Sequence, residues 1–295
     1  MASVTRDRMN RIDLSESLSP FTLKMGNRVS FRLYRDTRPH CLEIAPLQKG
    51  LVLVLDDKEL IEEGAGFGLP VVKYEDKTYF SSTAQTSFHE ETKPPILTKS
   101  FCLDTISRKR LGEASYVNDN FYGFFHKLFE KAYLARREMA PAFNVLMELR
   151  KTLKIDTDFV RVPSRGKVKV TYTCFPDLLK VRVDFSELHK DHCQEILVLN
   201  EQGSTFFTKY FDTDGLILIN RSMGAWQNVK AKRASLSDTR DTMSFTLQNI
   251  RSARLFRGWE RTKGRFSWAG LGYSLPRSVS SFNYDIQLKT KAANT

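Results

Sequence analysis

Lys167-Val168-Lys169-Val170-Thr171-Tyr172 alternates residue by residue: Val168, Val170 and Tyr172 are apolar, and Lys167, Lys169 and Thr171 between them are polar. Successive side chains of a β-strand point to opposite faces, so this run has one buried face and one wet face. The same period recurs outward in both directions. It appears in Val29, Phe31 and Leu33, in Val181, Val183 and Phe185, and in Phe282, Tyr284, Ile286 and Leu288.

Turn-forming clusters separate the runs. They include Met25-Gly26-Asn27, Ser164-Arg165-Gly166, Asn200-Glu201-Gln202-Gly203 and Asp212-Thr213-Asp214-Gly215. Counting runs between turns gives on the order of fifteen strands. So many strands without helices between them exclude a βαβ architecture. The expected class is therefore mainly β, a large antiparallel β-sandwich.

One region departs from period two. Over 118–154, Phe121, Phe124, Phe125, Leu128, Phe129, Ala132 and Tyr133 recur at helical spacing, and Phe143, Leu146, Met147 and Leu153 continue at a shifted phase. Pro141 removes an amide donor and breaks the run. The spacing predicts an α-helical hairpin inserted near 118–154. The chain then reads as a single β-sandwich domain over 1–295 with that insertion. The alternative is two β subdomains, 1–117 and 155–295.

The chain is 41% hydrophobic and 27% charged, the balance of a globular protein and not of a disordered one. No apolar run is long enough to span a membrane. Arg6, Arg8, Arg11 and Asp13 open the chain with no apolar run behind them, so no secretory signal is expected and the expected location is cytoplasmic. Cys41, Cys102, Cys174 and Cys193 lie far apart and read as reduced thiols. The net charge of +12 attracts anions generally.

The segment 251–273 interleaves cations with aromatics. Arg257, Arg261 and Arg265 stand among Trp259 and Trp268, and Trp226 is the remaining tryptophan. Arginine forks bind carboxylate or phosphate through paired hydrogen bonds, and aromatic faces stack on sugars or bases. Trp226, Arg257, Trp259, Arg261, Arg265 and Trp268 are therefore the candidate ligand-binding residues. An anionic saccharide is the first expected ligand. Nucleic acid suits the same residues, and a protein-interaction role for the aromatic helix stripe is the third reading.

Candidates for acid–base chemistry are weaker. His89 and Glu91 form a charged loop before Pro94-Pro95, where a histidine beside carboxylates suits a general base. Glu63 precedes the run Gly64-Ala65-Gly66-Phe67-Gly68. A strand follows that run, so no helix N-terminus receives a phosphate, and the glycines read as a bend or bulge. Tyr122 and His126 open the helical region. No metal is expected, because His189, His192 and Cys193 lack a fourth ligand at a recognisable spacing, and no cofactor motif occurs.

The strand count, aromatic-rich hairpins and helical insertion resemble the β-supersandwich of galactose-mutarotase-like and polysaccharide-lyase domains. The resemblance implies a carbohydrate ligand and, for an enzyme, acid–base chemistry of the epimerase, lyase or hydrolase kind. It carries over no individual residue.

Overall fold

The computed structural model describes residues 20–25, 28–34, 48–61, 64–75, 78–89, 92–104, 106–111, 156–161, 163–224, 226–262 and 266–291. The first strands among the described residues are β1 (Phe21–Lys24), β2 (Val29–Leu33), β3 (Val52–Leu55) and β4 (Lys58–Glu59), paired in that order. Then come β5 (Gly66–Tyr74), β6 (Thr78–Tyr79), β7 (Ser81–His89) and β8 (Ile96–Leu103). β9 (Ile106–Leu111) pairs with β10 (Asp156–Arg161). The remainder runs through β11 (Lys167–Cys174), β12 (Leu178–Asp184), β13 (Cys193–Gln202), β14 (Lys209–Asp212), β15 (Ile217–Ile219), β16 (Gln227–Asn228), β17 (Arg233–Ser237), β18 (Met243–Gln248), β19 (Arg254–Thr262), β20 (Phe266–Leu275) and β21 (Ser281–Thr290).

The described residues form two large antiparallel sheets. One has nine strands in the order β15-β14-β17-β18-β21-β12-β11-β8-β7, and the other has six in the order β16-β19-β20-β13-β5-β6. Strands from before 105 and after 155 share both sheets. Among the described residues there is no α-helix, only a 3-10 turn at Asn220–Met223. The helical hairpin expected near 118–154 lies outside the described residues.

The alternation read from sequence sets the core. Val168, Val170 and Tyr172 of β11 are fully buried, as are Ile286 of β21 and Val183 of β12. Burying each such side chain contributes about 1.5–3 kcal/mol. Phe67 from the six-stranded sheet packs against Phe245 of the other, ring centroids 5.2 Å apart. Two hydroxyls that enter the interior are paired, which offsets the cost of removing them from water. The Tyr172 hydroxyl donates to the Phe67 carbonyl at 2.8 Å, and the Tyr284 hydroxyl donates to Asn200 Oδ1 at 2.8 Å.

Lys99 on β8 is completely buried. Its ammonium donates to the carbonyls of Tyr34 (3.0 Å) and Lys49 (2.8 Å), which ties the first meander to the nine-stranded sheet.

One local reading changes and another holds. The turn expected at Asn200–Gly203 is absent, since β13 runs through Gln202 with Asn200, Glu201 and Gln202 all buried. Their polar groups look like turn residues, yet Asn200 and Glu201 find partners on other strands. The glycine run read as a bulge forms one: Gly66 to Gly68 open β5, with a register shift opposite Leu199 and Asn200. Gly68, at φ 78°, donates its amide to Asn200 Oδ1 at 3.0 Å there. Left-handed backbone of this kind suits glycine.

Candidate functional site

Alternation on β19 sends its side chains to two faces. Leu255 and Trp259 enter the core between the sheets. Arg257 shares their face, its guanidinium 4.8 Å from the Tyr210 ring on the opposing sheet. Phe256, Gly258 and Glu260 face the other way, onto the outer face of the six-stranded sheet.

That outer face is built in rows. Arg254 pairs with Ser274, Phe256 with Gly272, Gly258 with Gly270 and Glu260 with Trp268. β13 continues the rows, with Leu197 opposite Ser274, Leu199 opposite Gly272 and Glu201 opposite Gly270. The glycines leave room for side chains to lie across the backbone. The Trp268 indole occupies the place of a Cβ at Gly258, and the Phe256 ring does the same at Gly272. A Cβ at Gly270 would sit 2.7 Å from Glu201 Cγ.

Trp226, just before β16, completes the arrangement. Its ring stacks on Trp268 with centroids 4.6 Å apart and planes 22° apart, and meets Phe256 edge-on at 4.6 Å. Trp226 has φ 53°, a conformation that bulky residues rarely adopt. Such backbone persists only when its surroundings enforce it. Here Trp259 donates its amide to the Gly224 carbonyl at 2.9 Å, and β16 pairs with β19. Trp226 remains 44% exposed, so the stack presents an open indole face.

Carboxylates flank the stack. Trp268 Nε1 donates to Glu260 Oε2 at 3.3 Å. Glu201 is buried, and its Oε2 accepts the Ala65 amide at 3.0 Å. Burial pushes the Glu201 carboxyl up to about 7; the Ala65 hydrogen bond and Lys49 pull against this, and the charge of Glu260 adds to it. The face thus combines a flat apolar surface, a half-buried carboxylate and a carboxyl that exchanges its proton near neutral pH.

Of the ligand-binding candidates, Trp226 and Trp268 come together on this face. Arg257 and Trp259 lie on the opposite face of the same sheet, Arg261 is exposed near the end of β19, and Arg265 lies outside the described residues. Glu63, Glu91, Tyr122 and His126 also lie outside them. His89 ends β7, an exposed position on the far edge of the nine-stranded sheet, away from the tryptophans. His192 sits in the turn before β13 with Nδ1 3.1 Å from Glu75 Oε2.

Sequence reasoning missed Glu201 and Glu260. The available signal was the spacing Gly270-Leu271-Gly272 within a strand, because glycines two apart clear one face for a close neighbour.

No protein-family model matches the chain, and no curated protein matches its sequence. Among solved structures it is similar to an α-N-acetylgalactosaminidase from Bifidobacterium bifidum in complex with GalNAc, at 10% identity and a TM-score of 0.48, over 92% of this chain and 36% of that one. It is also similar to a galactose mutarotase-like protein from Lactobacillus casei, at 9% identity and a TM-score of 0.40, over 92% and 100% of the two chains. A glycoside hydrolase family 97 enzyme from Pseudoalteromonas sp. strain K8 matches at 9% identity and a TM-score of 0.39, over 92% and 36%. The chain thus spans about a third of the length of the galactosaminidase and of the family 97 hydrolase. At these scores the likenesses assign it no activity. Among the described residues, no helix is long and apolar enough to cross a membrane.

Proposed function

We propose that the chain works as one β unit whose outer six-stranded face binds carbohydrate. The observation that carries this reading is the stacked pair Trp226 and Trp268, with an open indole face beside the Glu260 carboxylate. A pyranose presents C–H groups on its faces and hydroxyls at its rim. The indole takes the former and the carboxylate accepts from the latter. An aromatic contact of this kind contributes about 0.5–1.5 kcal/mol beyond the area it buries. Beside two carboxylates, a neutral sugar unit is favoured over an acidic one, and a phosphate backbone is disfavoured.

A second reading is favoured by Glu201. A carboxyl that titrates near 7, next to the more exposed Glu260, is the environment expected of a proton carrier. The activity would then be acid–base chemistry on a bound sugar.

A glycan array carrying neutral and acidic oligosaccharides tests the binding reading. Retention of a saccharide class by the full chain, lost in Trp268→Ala, supports it. Retention of single-stranded nucleic acid alone would replace it.

A further inference from the structure

We infer a second subsite on this same sheet face, built for an acidic sugar unit and placed one strand-length from the tryptophan stack. The inference rests on the carbohydrate reading of that face. Arg254 and Glu260 are both even-numbered residues of β19 and point outward together. Six residues of strand place them about 20 Å apart.

Around Arg254 lies a groove of about 550 Å³, lined in part by Gln194, Glu195, Arg251, Arg254 and Ser274. Glu195 organises it. Its Oε2 accepts from Lys73 Nζ at 2.7 Å, and its Oε1 accepts from Ser274 Oγ at 2.5 Å and from Arg254 at 3.1 Å. One carboxylate therefore stands against three cations, Lys73, Arg251 and Arg254, and the groove is positive. The Arg254 side chain is 70% exposed. Among the described residues only its Nη2 is engaged, by Glu195 and by Ser274 Oγ at 3.0 Å, which leaves Nε and Nη1 for a ligand.

An open guanidinium edge beside a second arginine takes a carboxylate. The face is thus graded: a basic groove at the Arg254 end, an aromatic platform in the middle and carboxylates at the Glu260 end. A chain of several sugar units lies along it with its acidic unit at Arg251 and Arg254 and a neutral unit against Trp226. Selectivity for an acidic saccharide then comes from the groove and not from the stack.

Calorimetric titration of the full chain tests this with a uronate-containing hexasaccharide and its carboxyl-reduced counterpart. The acidic ligand should bind roughly tenfold tighter, and the difference should shrink as salt rises. Replacing both exposed arginines (Arg251→Ala with Arg254→Ala) should erase the difference, the acidic ligand losing roughly tenfold more affinity than the reduced one. Trp226→Gly should weaken both ligands alike. Equal affinity of the wild-type chain for the two ligands, or equal losses for both in the double arginine variant, would overturn the subsite but leave the stack as a sugar site. Failure of both ligands to bind would overturn the sugar reading and this inference with it.

Discussion

The indole of Trp268 lies across the backbone of Gly258, in the space that a Cβ at position 258 would fill. Gly258→Ala therefore pushes Trp268 off the sheet. Forcing a methyl into a packed site costs about 1–3 kcal/mol. The variant should unfold at lower urea concentration, and its sugar binding should fall with the displaced stack. Equilibrium unfolding monitored by tryptophan fluorescence measures both the loss and the altered environment of the ring.

Trp226 offers a cleaner probe, because its φ of 53° favours glycine over every other residue. Trp226→Gly removes the exposed ring and relieves the backbone, so its melting temperature should stay close to wild type. Trp226→Ala removes the ring but keeps the strain and should be less stable than the glycine variant by about 1 kcal/mol. Differential scanning calorimetry of the pair separates backbone from ring.

Glu201 makes stability depend on pH. The unfolded glutamate releases its proton near 4.5, whereas in the folded chain it holds the proton up to about 7. The folded state binds more protons between these values, so the contribution of Glu201 to stability falls as pH rises through that window. Glu201→Gln keeps an acceptor for the Ala65 amide and removes the titration. Above pH 7 the variant should be more stable than wild type by up to about 3 kcal/mol, and at pH 4 the two should converge. Melting temperatures measured from pH 4 to 8 give the comparison.

Lys99→Met keeps the buried volume but leaves the carbonyls of Tyr34 and Lys49 without this donor. A buried and a part-buried acceptor that each lose a charged donor should cost about 3 kcal/mol together. Hydrogen exchange should show the loss concentrated in β2 and β3, the part of the chain that Lys99 fastens to the nine-stranded sheet.

The strands with strict alternation, β11, β12 and β21, were legible because each buries one face and wets the other, whereas β2 kept the sequence period although Ser30 on its polar face is also buried. β13 was only partly legible. Its last residues, Asn200 to Gln202, are polar and read as a turn, but Tyr284 and the amides of Gly68 and Ala65 supply partners from strands 84 to 136 residues away. Pairing over such separations leaves no trace in local sequence. The segment 251–273 was legible as aromatic and basic. What composition could not convey was the division of its residues between two faces, or the arrival of Trp226 on Trp268 by way of β16. Glu201 was hidden for the same reason as the turn, since its burial is set by Gly270 and Ala65, neither of them a sequence neighbour.

The most direct test of the central claim is isothermal titration of the wild-type chain and of Trp226→Gly with the same oligosaccharide, the variant first checked for wild-type melting behaviour. Saturable binding by the wild type, weakened about fivefold in the variant, is the predicted result, since one lost stacking contact is worth about 1 kcal/mol. Equal affinities in the two proteins would show that the sugar binds elsewhere, and no binding in either would contradict the carbohydrate reading of this face.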